Sequence, residues 1–262
     1  MIRPGLVSIT FRKLSVDEII AACVKAELQG IEWGGDLHSP HGEVAVAKEV
    51  GQKTRDAGLS VAAYGSYYRV GFETPDQFPK VLDSAVALHS PIIRVWMGKV
   101  GSAEADERIW NDVISDANRI SELAFKAGVT LAAEWHGHTL MDNPAGCNRI
   151  LKSVDHPAFQ TYWQPHQRMP HDAALADIDH ALHRLVGVHV FEWDVQTVEQ
   201  LPLAQGKNHW LGYLAKLSTA GDLYGLLEFV KGETLEQFYE DAKTLKSWLS
   251  EINPKDEEDQ FE

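Results

Sequence analysis

Basic residues are scarce in this chain. Its 262 residues include 24 Lys and Arg against 38 Asp and Glu, a formal net charge of −14. A nucleic-acid backbone is gripped by clustered Lys and Arg, so this balance argues against nucleic acid as a partner. Long apolar runs are missing too: none reaches the roughly 18 residues that a membrane-crossing helix needs, and no membrane partner is expected. Cysteine is almost absent. Cys23 and Cys147 lie in helix-like segments without a CxxC neighbour, which leaves neither a disulfide framework nor a thiolate metal site. The opening stretch, MIRPGLVSITFRKLS, lacks the basic, apolar and small-residue segments of a secretory signal, so the protein is expected in the cytoplasm. Also missing are GxGxxG and GxxxxGKS/T, the glycine loops expected of a nucleotide-binding open sheet.

What the chain does contain is one pattern written eight times. Apolar runs begin near Gly5, Gly30, Ser60, Pro91, Val129, Phe159, Gly187 and Leu223, and a segment of helical periodicity follows each. Their spacing, roughly 25 to 38 residues, is that of a βα unit. SVDEIIAACVKAEL opens with a Ser cap and acidic residues, TPDQFPKVLDSAVALHS with Thr and Pro, and TLEQFYEDAKTLKSWLSEI with Thr three residues before Gln. Gly30, Gly58, Gly128 and Gly221 stand where helices should stop, in the place of left-handed caps. Eight alternating units in about 250 residues make a single α/β domain, a closed (β/α)8 barrel over residues 1–252. The last segment, NPKDEEDQFE, carries five acidic residues and one Lys, and reads as a solvated tail over 253–262.

Chemistry in such barrels sits at the C-terminal ends of the strands. There the later runs carry Glu134, Gln164, His189 and Glu228, within VTLAAEWHG, FQTYWQPH, VGVHVFEW and LYGLLEFV. If those strands are parallel neighbours, the four side chains converge. Two carboxylates, an imidazole and an amide oxygen suit one divalent ion such as Mg, Mn, Co or Zn. Carboxylates inside apolar strands need a compensating cation, and Arg94 is the metal-free alternative. Other strand-end groups are candidates for contacting substrate: His38, Tyr68, His136 and His166, with Arg69 and Arg94 for an anionic group. Trp33, Trp96 and Trp193 offer a stacking floor for the apolar face of a sugar.

These residues, in GIEWGGD at 30–36, YGSYYR at 64–69, IRVWMG at 93–98, EWHG at 134–137, VHVFEW at 188–193 and LLEFV at 226–230, resemble a known family. Over essentially all of residues 5–250 the chain is similar to the xylose isomerase-like TIM barrels grouped as sugar phosphate isomerases and epimerases. Tagatose 3-epimerase-type enzymes, inosose dehydratases and, more distantly, apurinic-site endonucleases share that grouping. The resemblance implies a divalent metal held by Glu, Asp, His and Glu on four successive strands, with both Glu acting as acid and base. Glu134, His189 and Glu228 match that set. Gln164 stands where the family carries Asp, and Gln167 where it commonly carries His, although His166 is adjacent. A neutral amide removes one negative charge and should weaken metal binding.

The expected activity is isomerisation or epimerisation of a small sugar, sugar phosphate or polyol. Protons would pass through Glu134 and Glu228 by way of an enediolate. A keto-polyol dehydratase and a non-catalytic sugar-binding barrel are the alternatives, and a homodimer is the expected assembly.

Overall fold

The computed structural model describes residues 1–252; the acidic segment 253–262, expected to be a tail, lies outside the described residues. Eight parallel strands close into a barrel in sequence order. They are β1 (Ile2–Val7), β2 (Gly30–Gly34), β3 (Ser60–Arg69), β4 (Ile92–Trp96), β5 (Thr130–Glu134), β6 (Phe159–Trp163), β7 (Leu185–Val190) and β8 (Leu223–Leu227). The helices between and after them are α1 (Val16–Lys25), α2 (Val44–Asp56), α3 (Gln77–Leu88), α4 (Glu107–Lys126), α5 (Pro144–Ser153), α6 (His171–Ala181), α7 (Lys207–Leu217) and α8 (Leu235–Ile252). The eight-unit pattern of the sequence is thus the architecture itself. Among the described residues no helix is long and apolar enough to cross a membrane.

Local chemistry explains where the helices begin. Ser15 and Glu18 form a reciprocal capping box on α1, and Asp106 accepts from the Ile109 amide at the start of α4, which satisfies backbone donors that lack helical partners. On α4 the buried side chains are Trp110, Val113, Ala117, Ile120, Ser121 and Ala124, one stripe at helical spacing. Gly58 and Gly128 end their helices with φ of 78° and 72°, the left-handed conformation that glycine adopts at least cost. Gly30 does not cap. It is the first residue of β2, and the left-handed position after α1 is taken by Glu27, with φ of 54°.

Most apolar side chains pack between the strands and the helix ring. A separate cluster that includes Val7, Ala63, Ala132, Tyr162 and Leu226 fills the barrel interior. It makes a dry floor directly beneath the polar residues described next. Both cysteines are free and buried.

Candidate functional site

Side chains on a strand alternate between faces, and the inward set on each late strand ends in a polar group. Ala132 is followed by Glu134, Tyr162 by Gln164, Gly187 by His189 and Leu226 by Glu228, while β2 contributes Glu32 and β4 Arg94. All six polar side chains are buried, Glu32 and His189 completely.

His189 stands at the centre. Its Nε2 lies 3.3 Å from Glu32 Oε2. Its Nδ1 is 3.2 Å from Glu134 Oε1, 3.2 Å from Gln164 Oε1 and 3.3 Å from Glu228 Oε2. Gln164 is held in place because its Nε2 donates to the Trp135 carbonyl at 3.0 Å, which turns the amide oxygen toward the imidazole. Arg94 donates through Nε to Glu32 Oε1 at 2.6 Å and through Nη1 to Glu134 Oε2, an oxygen that also accepts from Trp96 Nε1. The arginine foreseen as counter-ion for one carboxylate therefore serves two. Glu228 differs from the others. Its Oε2 is close enough to His189 for attraction but makes no hydrogen bond.

Space for this arrangement comes from Gly65. A β-carbon there would stand 2.7 Å from Glu32 Oε1 and 2.8 Å from Arg94 Nη2. Register pairs Gly65 with Arg94, so the missing side chain is the one that would point into the cluster.

Charge settles where the protons are. Three carboxylates face two cations, Arg94 and His189, and a buried cluster avoids net charge. One proton on a carboxylate makes it neutral. Burial, reinforced by Glu134, pushes Glu228 up to about 7, against the pull of His189 and Arg94. Burial acts the same way on Glu134, but Arg94 and His189 outweigh it and hold that carboxyl well below the usual range. Glu32 is lowered for the same reasons, burial being overcome by Arg94 and His189. Desolvation disfavours the imidazolium, yet Glu228 and Glu32 more than compensate and raise His189 to about 10. Glu228 is thus the carboxylic acid of the set.

A pH dependence of stability follows. Glu228 and His189 have raised values in the fold. Their contributions are complete below their unfolded values, near 4.3 and 6.5, and are lost as pH rises through about 7 and about 10. Glu134 and Glu32 are lowered, so their contributions are present above roughly pH 4.5 and lost in acid. In chelator, the melting temperature should be highest near pH 5 and fall in two steps toward pH 10. A thermal series that is flat, or rises, from pH 5 to 9 would refute the proton assignment.

The donor set fits a divalent ion. Bonds of about 2.0–2.2 Å place neighbouring ligand atoms roughly 3.0–3.5 Å apart, and the three oxygens around His189 Nδ1 already stand at such separations. Glu32 on Nε2 is the carboxylate that orients a ligating imidazole, and the unpartnered Glu228 Oε2 is a donor atom in want of a cation. Among the described residues no group of three or more His, Cys, Asp and Glu stands as a metal cage.

A cavity of about 310 Å³ lies over the cluster, lined among others by Thr10, Tyr67, Arg94, Trp96, Glu134, His136, Gln164, Glu228 and Phe229. His166 and Trp193 line a second space of about 540 Å³, which shares His136, Gln164 and Phe229 with the first. Other expected contacts are elsewhere. Trp33 has the opposite parity to Glu32, and its indole donates to Thr54 on α2 at 3.0 Å. The ring nitrogens of His38 lie 3.0 Å from Ser8 Oγ and 3.2 Å from the Leu14 carbonyl. Tyr68 points outward to Asp116 of α4, at 3.1 Å, and Arg69 is stacked on Trp96 while donating to the Gly98 carbonyl. In place of Tyr68 the cavity receives Tyr67. Sequence reasoning also passed over Glu32 as a site residue, Phe229 and Thr10; parity from Glu134 and Arg94 was the signal available for the first.

The family model described as xylose isomerase-like TIM barrel matches residues 20–248. Among solved structures, the probable 3-DHS dehydratase AsbF from Bacillus anthracis is similar at a TM-score of 0.80 and 16% identity, over 94% of this chain and 99% of that one. D-psicose 3-epimerase from Clostridium cellulolyticum H10 is similar at 0.69 and 14% identity, over 96% and 98%. A Mycobacterium smegmatis barrel protein in complex with magnesium gives 0.70 and 14%, over 95% and 97%. Identities this low establish a common fold. No curated protein matches the sequence.

Proposed function

The chain belongs to the xylose isomerase-like TIM barrel family, and we propose that it is a metal-assisted isomerase or epimerase of a small sugar or polyol. The observation that carries this reading is the convergence of Glu134, Gln164 and Glu228 oxygens within 3.2–3.3 Å of His189 Nδ1, beneath a cavity of monosaccharide scale. Moving hydrogen between neighbouring carbons of a hydroxy-ketone requires a base, an acid and stabilisation of the charge that develops on oxygen. Glu134, His189, Gln164 and Glu228 would hold a divalent cation, which supplies that stabilisation to the substrate oxygens. Without a metal Glu134 is the ionised carboxylate and Glu228 the protonated one. His189 and Glu228 would give up their protons to ligate a divalent cation, which would leave both carboxylates able to exchange a proton with the substrate as base and acid in turn. Arg94 and Trp96 donate to Glu134 Oε2, which fixes the carboxylate plane and leaves Oε1 facing His189 Nδ1. Phe229, Trp96 and His136 supply ring surfaces against which the apolar face of a sugar packs. Relatives of the fold described as a D-psicose 3-epimerase and as a magnesium complex support the same reading.

Two measurements test it. Calorimetry with Mn, Mg, Co and Zn should find about one ion per chain, and Gln164→Asp should tighten binding by at least tenfold, since it restores one negative charge to the ligand set. Absence of uptake for all four ions would defeat the metal site. A ketose panel in deuterium oxide should show label entering the substrate at the carbon that changes. A dehydratase shares the removal of a proton beside a carbonyl, and the mass of the product, lower by one water, separates it from an isomerase.

A further inference from the structure

We propose that Tyr67 is a catalytic residue of this site, donating its phenolic hydrogen to a substrate oxygen held above Arg94; the assignment rests on the sugar or polyol reading given above. The first observation is how the chain delivers this side chain. Gly65 pairs with Arg94 and Arg69 with Trp96, so four steps along β3 are matched to two along β4. The surplus forms a bulge, and bulges re-aim side chains beside active sites. Ser66 pins it, donating through Oγ to the Arg94 carbonyl at 2.6 Å and accepting from the Tyr68 amide at 3.2 Å. Tyr67 sits at its apex with φ of 56°, a left-handed conformation uncommon for any residue but glycine, asparagine or aspartate. Such conformations persist where the surroundings enforce them, and they gather at ligand sites.

The second observation is what the hydroxyl does. Buried phenols find partners, and other tyrosines of the chain obey. Tyr64 donates to the Ser39 carbonyl at 2.7 Å, Tyr68 to Asp116 at 3.1 Å and Tyr213 to the His171 carbonyl at 3.0 Å. The Tyr67 hydroxyl is buried and makes no hydrogen bond of good geometry, its polar neighbour being the Arg12 side chain at the rim, and its side chain lines the cavity over the charged cluster. Its ring lies 5.2 Å from the Arg94 guanidinium and packs edge-on against Trp96 at 5.2 Å. The two donors that hold Glu134 therefore also fix the orientation of the phenol.

The ligand chemistry follows. Burial raises the Tyr67 phenol well above its ordinary value, so it stays a donor throughout the working range and calls for an acceptor oxygen. Nearby arginines are occupied: Arg12 pairs with Asp36 at 2.5 Å, and Arg69 is committed to Trp96 and Gly98. Glu228 and Glu233 line the same cavity. An uncharged ketose or polyol is the class this combination takes, with its carbonyl or enediolate oxygen on Tyr67, rather than a phosphorylated sugar.

The test is Tyr67→Phe, which keeps both ring contacts. With the best ketose of an unphosphorylated panel, kcat/KM should fall roughly 10²-fold, the usual loss for one donor to a developing oxyanion. The dissociation constant of xylitol, read by tryptophan fluorescence, should rise about tenfold. The melting temperature should hold or rise, because no hydrogen bond of good geometry is lost. A wild type that turns over no ketose, with xylitol affinity still lost in Tyr67→Phe, would end the isomerase reading and leave Tyr67 as the ligand's donor. Unchanged xylitol affinity in the variant, or no xylitol binding by the wild type, overturns the assignment of Tyr67. A lowered melting temperature with full turnover overturns it as well and makes the hydroxyl structural.

Discussion

Glu228→Gln should lower turnover at least roughly 10²-fold, the usual contribution of a positioned acid or base. The substitution is unusually clean. Glu228 Oε2 has no hydrogen-bond partner to lose, and the neutral amide reproduces the protonated carboxyl that burial favours near and below neutrality. Folding should be untouched at about pH 4, where Glu228 is protonated in both states, and the loss of thermal stability between about pH 4 and 7 should vanish. Metal affinity should suffer less than catalysis, because one ligand oxygen survives. Glu134→Gln is a poorer probe: its amide oxygen can take the place of Oε2 and accept from Arg94 and Trp96, but its NH2 would then face the protonated Nδ1 of His189. Steady-state rates, calorimetry and melting curves on Glu228→Gln decide the matter. Full turnover by this variant would reduce Glu228 to a ligand or a structural group.

The largest loss of stability should come from Arg94→Met. Arg94 is 2% exposed and neutralises both Glu32 and Glu134. Removing one partner from a buried ionic cluster costs about 3–5 kcal/mol, because the remaining charge has lost its compensation. At about 2–4 °C per kcal/mol for a chain of this size, melting should drop by on the order of 10 °C. Acidification should restore part of the loss, as Glu32 and Glu134 take up protons. A variant that melts like the wild type at neutral pH would show that His189 alone balances the carboxylates, contrary to the geometry.

Much of this was legible before the structure. The eight-fold repetition fixed strand and helix order because each βα unit must bury one sheet face and one helix stripe, and the family resemblance named the barrel. Glu134, Gln164, His189 and Glu228 were readable as a set because each follows an apolar run at the same place in its unit. The misread contacts fail on parity. Trp33 follows the inward Glu32 by one residue and so must face the helices, where Thr54 receives it. On β3 the phase was invisible: YGSYYR offers tyrosines of both parities, and only pairing of Gly65 with Arg94 shows that odd positions point inward. The positive φ of Tyr67 left no mark in the residue type. Doubling of the ion pair at Arg94 was equally hidden, since it depends on Glu32 lying 62 positions away along the chain.

Gly65 carries a consequence for descent. Any side chain at that position would collide with Glu32 and Arg94, so Gly65 cannot change while the ion pair is kept. The pair thus holds the glycine in place across three adjacent strands, while the glycine alone does not hold the pair. Lineages of this barrel that keep the arginine–glutamate pair should keep the glycine with it, and those that acquired a β-carbon there should have surrendered the pair and, with it, the means of holding the first glutamate of the site.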